Sequence, residues 1–335
     1  MNPARFAGAE REPWLSASAA SVGFRLTYAI TPPNQTTPRE RRRALASAQS
    51  ARISELPIDA LLIYDVQDEA ARNGSPRPFP FIPKVDPLTY AFGDLTLAGL
   101  PRVVYRALAN QDDASLGRWL DALHARGGSA VLVGAPSRHT STALTLSEAL
   151  LACRRRVPDL ALGGVVIPER HRPPTDEVAR VWTKMQRGCR FFVSQTVWSV
   201  PRAQRLLSDL CQRADREGRT LPPIALTFSP CGSPQTLEFL AWLGVEIPEP
   251  VKRELYSAKD MLARSIDLAA DAFAEIHSWS ARAGFSIGCN VESVSSRAAE
   301  VEASVELVRR IDQLRITRRR DPASPEGRTA RACGP

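Results

Sequence analysis

The sequence predicts an α/β protein that folds as a (β/α)8 TIM barrel. Eight short apolar runs rich in β-branched residues recur along the 335 residues, and helical patterns separate most of them. A doubly wound open sheet is the alternative, but that fold places a Gly-rich phosphate turn after its first strand. Here the first strand runs into "ITPPNQ", and neither GxGxxG nor GxxxxGK[ST] occurs. The closed barrel is therefore the predicted fold.

Each predicted strand is a short buried run that ends at Pro, Gly or a polar residue. The first, "FRLTYAI", alternates its larger apolar side chains on one face and stops before a double proline. The eight runs are residues 24–30, 59–65, 102–108, 129–135, 160–167, 190–197, 222–228 and 284–290.

The predicted helices show apolar residues three or four positions apart. Helices are expected within residues 39–56, 113–128, 140–157, 175–188 and 201–218, and several of these segments end at the glycine typical of a position just beyond a helix. Two regions depart from simple alternation. The Pro-rich segment "EAARNGSPRPFPFIPKVDP" predicts a long loop after strand two, and residues 248–282 predict an extra helix before strand eight.

Composition and charge bound the class of protein. The chain is 44% hydrophobic and 24% charged, and half of its net charge of +8 lies after residue 314. Residues 1–20 and the basic tail, residues 317–335, are expected to be disordered, and residues 21–316 to form the barrel. No basic motif interleaved with aromatic residues occurs, so nucleic-acid binding is not expected.

The N-terminus lacks the apolar core of a secretory signal, and no apolar run is long enough to span a membrane. A cytoplasmic protein without a membrane partner is expected. None of the six cysteines occurs in a CxxC pair or a His/Cys cluster, so we expect free buried thiols and no metal site. Homo-oligomerisation is left open.

Function in a barrel is sought at the carboxyl ends of the strands. "VVIPERH" places Glu169 and His171 directly after strand five, and "FFVSQTVW" places Gln195 at the end of strand six. A glutamine there can hydrogen-bond a planar heterocycle through both halves of its amide. Arg106, at the end of strand three, suits either a structural ion pair or an anionic ligand.

Five segments taken in order resemble methylenetetrahydrofolate reductase, a flavoenzyme family with a (β/α)8 barrel. They are "YAITPP" at 28–33, "IPERH" at 167–171, "KMQRGCRFFVSQ" at 184–195, "QTLEF" at 235–239 and "GVEIP" at 244–248. The resemblance spans residues 24–312 and implies a flavoprotein oxidoreductase of one-carbon metabolism that binds a small-molecule folate and FAD. It implies that Gln195, Gln235 and Phe239 bind the folate, and that His171, Lys184 and Tyr64 contact the cofactor.

The chain departs from the family at the positions that hold the family's acidic groups beside the folate and the flavin. Ala29 stands where the family has the glutamate that protonates the folate nitrogen, and Ala135 and Pro136 stand near the place of an aspartate beside the flavin. Loss of a general acid costs about 10²- to 10⁴-fold in rate unless another group replaces it. Asp68 and Glu69, after strand two, are the predicted replacements. A solvated loop or a helix N-terminal cap is the other interpretation of these acidic residues.

Two functions of different classes follow from the sequence. The first is flavin-dependent reduction of 5,10-methylenetetrahydrofolate with a relocated acid. The alternative is a non-catalytic or altered-chemistry relative that binds folate or a partner without the parent reductase activity. The loss of the family's acids at Ala29 and near Pro136 motivates the alternative, and whether the chain is an enzyme is left open.

Overall fold

Eight parallel strands form a closed barrel in which each strand lies beside its neighbours in chain order. The computed structural model describes residues 24–69, 75–109, 111–135 and 142–320. The predicted (β/α)8 barrel is confirmed. The strands are β1 (Leu26–Ile30), β2 (Ala60–Ile63), β3 (Arg102–Ala107), β4 (Ser129–Val133), β5 (Leu162–Val166), β6 (Phe191–Thr196), β7 (Ile224–Phe228) and β8 (Gly288–Glu292).

The helices follow the strands much as the apolar spacing predicts. Reciprocal capping boxes fix the starts of α3 (Asp113–His124) and α4 (Leu146–Arg156), with Asp112 and Thr145 as the N-cap residues. The others are α1 (Arg39–Ser54), α2 (Pro87–Thr89), α5 (Glu177–Gln186), α6 (Val200–Arg216), α7 (Pro234–Trp242), α8 (Glu249–Ser257), α9 (Met261–Arg282) and α10 (Ala298–Arg320).

Both predicted irregularities are present. After β2, the described residues contain no regular helix or strand until α2, which continues into a π-helical turn at Tyr90–Asp94. Between β7 and β8 the chain adds α8 and α9 after α7, so the extra helix before strand eight is confirmed.

The last strand begins four residues later than its apolar pattern predicts. Gly284 has a φ of +85° beyond the end of α9, and the Phe285 ring packs edge-to-face on Trp279 of that helix with ring centroids 5.6 Å apart. These residues therefore close α9, and β8 starts at Gly288.

The described chain divides into two compact units. The first unit contains Tyr28–Gly164 and Thr183–Phe191. The second unit contains Val165–Trp182, the residues before Tyr28 and the chain from Phe192 onward. The largest buried side chains of the first unit include Tyr90 and Phe191, and Phe228 and Phe273 are core residues of the second.

A close backbone approach in the first unit requires a glycine. A Cβ atom added at Gly163 in β5 would lie 2.4 Å from two ring atoms of Phe191. Any larger residue at 163 would therefore displace the aromatic ring that begins β6.

A chain of buried polar groups ties together the strands of the second unit. The Thr27 hydroxyl donates to the Asn290 side-chain oxygen at 2.9 Å, and the Asn290 amide nitrogen donates to the Thr227 hydroxyl at 3.2 Å. Thr227 in turn donates to the backbone oxygen of Ser194 at 2.6 Å. All four residues are at most 5% exposed. Because these bonds satisfy groups that water does not reach, they hold the strands in one register.

Parts of the predicted domain organisation lie outside the described residues. These parts are residues 1–23, which include the expected disordered segment, and residues 321–335 of the basic tail. Within the described chain, α10 continues to Arg320. Five cysteines are buried free thiols, and Cys333 lies outside the described residues. No helix in the described ranges combines the length and apolar character that crossing a membrane requires.

Candidate functional site

A buried carboxyl group follows β5 in the second unit. Pro168 starts a short 3-10 turn, Pro168–Arg170, which carries Glu169 at its centre. The Glu169 side chain is 4% exposed, and neither carboxylate oxygen accepts a hydrogen bond from another described residue. Burial raises the pKa of Glu169 to about 7, and its own backbone N–H opposes that rise. A buried carboxyl in this state is costly for the fold and is the kind of group found at functional sites.

Charged residues around Glu169 are paired with one another rather than with it. Arg202 of α6 lies 3.1 Å from Glu246, and Arg172 lies 3.6 Å from the same carboxylate. The Glu246 charge contributes to the raised pKa of Glu169, whereas Arg202 and Arg170 lower it. Since Glu246 already takes up the Arg202 guanidinium, Glu169 is left without a counter-ion of its own.

Gln195 lies near the carboxyl end of β6, as predicted. Its side-chain nitrogen donates to the backbone oxygen of Leu243 at 3.0 Å. Leu243 belongs to the loop after α7 that also carries Glu246. The bond fixes one half of the amide, and the side-chain oxygen accepts no described hydrogen bond. Gln195 therefore keeps an acceptor and one N–H for a ligand.

His171 ends the loop after β5 and faces two carboxylates. Its Nε2 lies 2.7 Å from Asp209 of α6, and its Nδ1 lies 3.8 Å from Asp176. The Nδ1 atom is buried and has no hydrogen-bond partner among the described residues. Asp209 therefore orients the ring, and Nδ1 is the atom that a ligand would address.

The predicted folate residues on α7 are held in different ways. Gln235 is exposed and accepts a hydrogen bond from Arg297 at 2.7 Å. Phe239 is 7% exposed and stacks on Trp242, with ring centroids 6.0 Å apart and 14° between the planes. Phe239 is part of an aromatic pair in the core of the unit, and Gln235 lies at its surface. Their roles in folate binding stay predictions.

In the first unit, polar residues after β2 and β3 form a separate group. Asp65 accepts a hydrogen bond from the Ala107 backbone at 2.8 Å. Burial raises the pKa of the Asp65 carboxyl, while that backbone bond and the Arg106 charge oppose the rise. Arg106 pairs with Asp86 at 2.8 Å. Of the two interpretations of Arg106, the structural ion pair is the one present.

The remaining predicted cofactor residues are also in the first unit. The Tyr64 ring packs edge-to-face on Tyr105 with centroids 4.8 Å apart. Lys184 lies in the last turn of α5, where its backbone oxygen accepts from Cys189 at the approach to β6. The Lys184 charge opposes the burial that raises the pKa of Cys189 to about 12.

The predicted acids lie in the irregular segment after β2. Asp68 is exposed and Glu69 is half-buried, and both charges act on Arg77, raising its pKa against the larger lowering caused by burial. Ala29 is 3% exposed in β1, on the strand face that it shares with Thr27. Ala135 is exposed, and Pro136 lies outside the described residues. The catalytic role of Asp68 and Glu69 stays a prediction.

The second unit holds polar residues that sequence reasoning identified only in part. Gln195 was predicted as a ligand contact, but Glu169, Arg202 and Glu246 were not. The "IPERH" segment placed Glu169 after a strand, and this was the available signal. The lack of a hydrogen-bond partner at Glu169 depends on residues that are distant from it in the chain. Within the described ranges no group of three or more potential metal ligands occurs.

Fold and site together define a (β/α)8-barrel protein whose polar side chains follow the carboxyl ends of its strands. The chain is similar to a protein from Clostridium thermocellum whose solved structure binds two copies of 5-methyl-5,6,7,8-tetrahydrofolic acid. The two are 35% identical with a TM-score of 0.76, and the match covers 88% of this chain and 98% of that one. The chain belongs to the family of that protein.

Other comparisons add little. Solved structures of 2,3-dimethylmalate lyase and oxaloacetate acetylhydrolase match at 12% and 14% identity, with TM-scores of 0.39 and 0.41. Each match covers 94% of this chain, and 99% and 97% of those chains. These scores are too low to bear on function. No protein-family model matches, and no curated protein matches. The resemblance to methylenetetrahydrofolate reductase therefore rests on the sequence motifs alone.

Proposed function

We propose that this protein binds a reduced folate of the 5-methyltetrahydrofolate type. The observation that carries the proposal is the relative from Clostridium thermocellum, which binds this compound and matches nearly its whole length at 35% identity. The second unit supports it with groups suited to a polar heterocycle. These are the free half of the Gln195 amide and the unpaired Glu169 carboxyl.

Calorimetric titration of the full chain with 5-methyltetrahydrofolate tests the proposal. We expect saturable binding, and the fitted stoichiometry reports whether this chain, like its relative, takes up two copies. Glutamate and p-aminobenzoylglutamate serve as fragment controls, because they lack the pteridine ring. Absence of heat for 5-methyltetrahydrofolate and for other reduced folates at high micromolar concentration would reject folate binding.

Replacing Gln195 with alanine is expected to weaken folate binding by about 1–3 kcal/mol. The substitution removes the acceptor and the N–H that we assign to the ligand, and the bond to Leu243 is lost with them. Because that bond is also structural, thermal unfolding must accompany the titration. A comparable substitution at the exposed Gln212 of α6 serves as the control. Unchanged affinity in a folded Gln195→Ala protein would return Gln195 to a purely structural role.

One structural observation favours a protein that binds folate without the reductase activity of the family it resembles. β1 is buried along its whole length, and at its carboxyl end it presents the methyl group of Ala29 instead of an acid. Asp68 and Glu69 lie in the segment beside Arg77 rather than on a strand. Turnover of 5,10-methylenetetrahydrofolate by the purified protein would overturn this form and support the reductase.

FAD binding is a proposal of its own. The resemblance assigns the cofactor to His171 in the second unit and to Lys184 and Tyr64 in the first, and the orphaned His171 Nδ1 is the observation that suits a ligand. When bound and reduced, the flavin would supply a hydride and would itself return to the oxidised form. Asp209 would orient the imidazole ring of His171, and the Nδ1 atom of that ring would face the cofactor. Absorbance near 450 nm after incubation with FAD and desalting tests the proposal without any assay of activity.

A further inference from the structure

Glu169 is unusual among the buried carboxyl groups of the described chain. Glu177 accepts from the Ile167 backbone at 3.1 Å, and Glu300 accepts from Thr236 at 2.8 Å, so each has at least one bonded oxygen. Among the described residues, Glu169 is the buried carboxyl for which neither oxygen accepts a hydrogen bond from another residue. Since buried polar groups are nearly always hydrogen-bonded, two free acceptors on one planar group call for a donor pair from outside the chain.

The surroundings of Glu169 indicate which kind of donor pair fits. A free guanidinium would satisfy the charge, but Arg202 is paired with Glu246 at 3.1 Å. The loop that carries Glu246 also accepts the side-chain N–H of Gln195 through Leu243. The charge of Glu246 on that loop also acts on Glu169. The unbonded carboxylate of Glu169 and the free half of the Gln195 amide are the groups of this unit that a flat polar ligand would address.

We propose that Glu169 recognises the 2-amino-4-oxo edge of a pteridine, with its two carboxylate oxygens accepting the ring N3–H and an N–H of the 2-amino group. This assignment rests on the proposed folate binding and specifies the residue that selects the ring. The pterin edge presents two parallel N–H donors, which match the two acceptors of a carboxylate as a guanidinium does. Gln195 contributes its remaining acceptor and donor to the same ring.

The pairing has a defined dependence on pH. The ligand binds the ionised carboxylate, so affinity falls as Glu169 becomes protonated below pH 7. The charged groups that act on Glu169 are Glu246, Arg202 and Arg170. The part of the pH dependence that disappears on replacing Glu169 with glutamine belongs to Glu169 itself.

The experiment compares the full-length parent protein with Glu169→Gln and with Glu238→Gln, an exposed control on α7. Calorimetry at pH 7.5 uses 5-methyltetrahydrofolate, followed by 6-methylpterin and 6-methyllumazine. Lumazine carries a carbonyl where pterin carries the 2-amino group. A glutamine offers one acceptor and one donor, and therefore matches lumazine better than pterin.

We expect Glu169→Gln to bind 5-methyltetrahydrofolate roughly 10- to 100-fold more weakly than the parent. The parent should prefer pterin to lumazine, the glutamine variant should lose or reverse that preference, and Glu238→Gln should behave as the parent. Thermal unfolding checks that the variant is folded.

Parental affinity together with parental pterin preference in Glu169→Gln would overturn the role of Glu169 and leave folate binding intact. A parent protein that binds neither folate nor pterin would overturn both. The two failures are therefore distinguishable in the same set of titrations.

Discussion

Between pH 5 and pH 8.5, the free energy of unfolding of the unliganded Glu169→Gln protein is expected to rise by about 2.5 kcal/mol relative to that of the parent protein. The carboxyl has a pKa of about 7 in the folded chain and an ordinary value of 4.5. A raised carboxyl pKa means that the unfolded state releases its proton first as the pH rises. The parent therefore loses stability from near pH 4.5 up to pH 7, and the glutamine variant does not.

Urea unfolding of both proteins across this pH range measures the effect. The difference between the two free energies is the useful quantity, because titrations common to both proteins cancel in it. Glu238→Gln, whose side chain is exposed, should track the parent within about 0.5 kcal/mol at every pH. A difference that stays flat for Glu169→Gln would mean that the carboxyl has a partner in solution.

This stability penalty and the proposed ligand contact have the same physical origin. A carboxylate that is buried without donors destabilises the unliganded chain, and a ligand with two N–H groups removes that penalty on binding. Binding should therefore be tighter at pH 8 than at pH 6, and added 5-methyltetrahydrofolate should stabilise the parent more than Glu169→Gln. Natural binding sites commonly retain such destabilising groups because removing them costs function.

The barrel was predictable because its strands are buried on both faces and are therefore marked by continuous apolar runs. Seven of the eight strands begin within two residues of the predicted position, whereas β8 begins at Gly288 instead of residue 284. Phe285 and Ile287 supply the apolar signal there, but Gly284 and Phe285 complete α9. An apolar residue that packs back on the preceding helix cannot be distinguished locally from one that starts a strand.

The sequence predicts the location of a site residue only where its position relative to the end of a strand decides that location. Gln195 follows from the end of β6, and His171 from the loop after β5, and both lie where expected. Gln235 accepts a hydrogen bond from Arg297, which is 62 residues away in the chain, and its predicted role in folate binding stays a prediction. Glu169 becomes notable because Glu246 takes up Arg202, a pairing that joins α6 to the loop after α7. Such long-range pairings leave no local pattern, so spacing alone could not reveal them.

Asn290 carries the second large effect, and this effect is on stability alone. Its side chain is fully buried in β8, where it accepts from Thr27 and donates to Thr227. Truncation to alanine removes both bonds and leaves a small cavity. The buried Thr27 hydroxyl keeps only its longer contact of 3.4 Å to the backbone oxygen of Cys289.

We expect Asn290→Ala to lower the free energy of unfolding by about 3 kcal/mol, as a lost buried hydrogen-bond pair and a cavity together predict. Ser54→Ala, which removes a single 2.7 Å bond to Ser50 at the exposed end of α1, should cost no more than about 0.5 kcal/mol. Adding Thr27→Val to Asn290→Ala should cost less than the sum of the two single changes, because the hydroxyl stranded by the first change is absent in the double variant. Urea unfolding of the parent, the two single variants and the double variant measures this coupling. Strict additivity would show that the Thr27 and Asn290 side chains do not depend on each other, and that the bond between them does not couple β1 to β8.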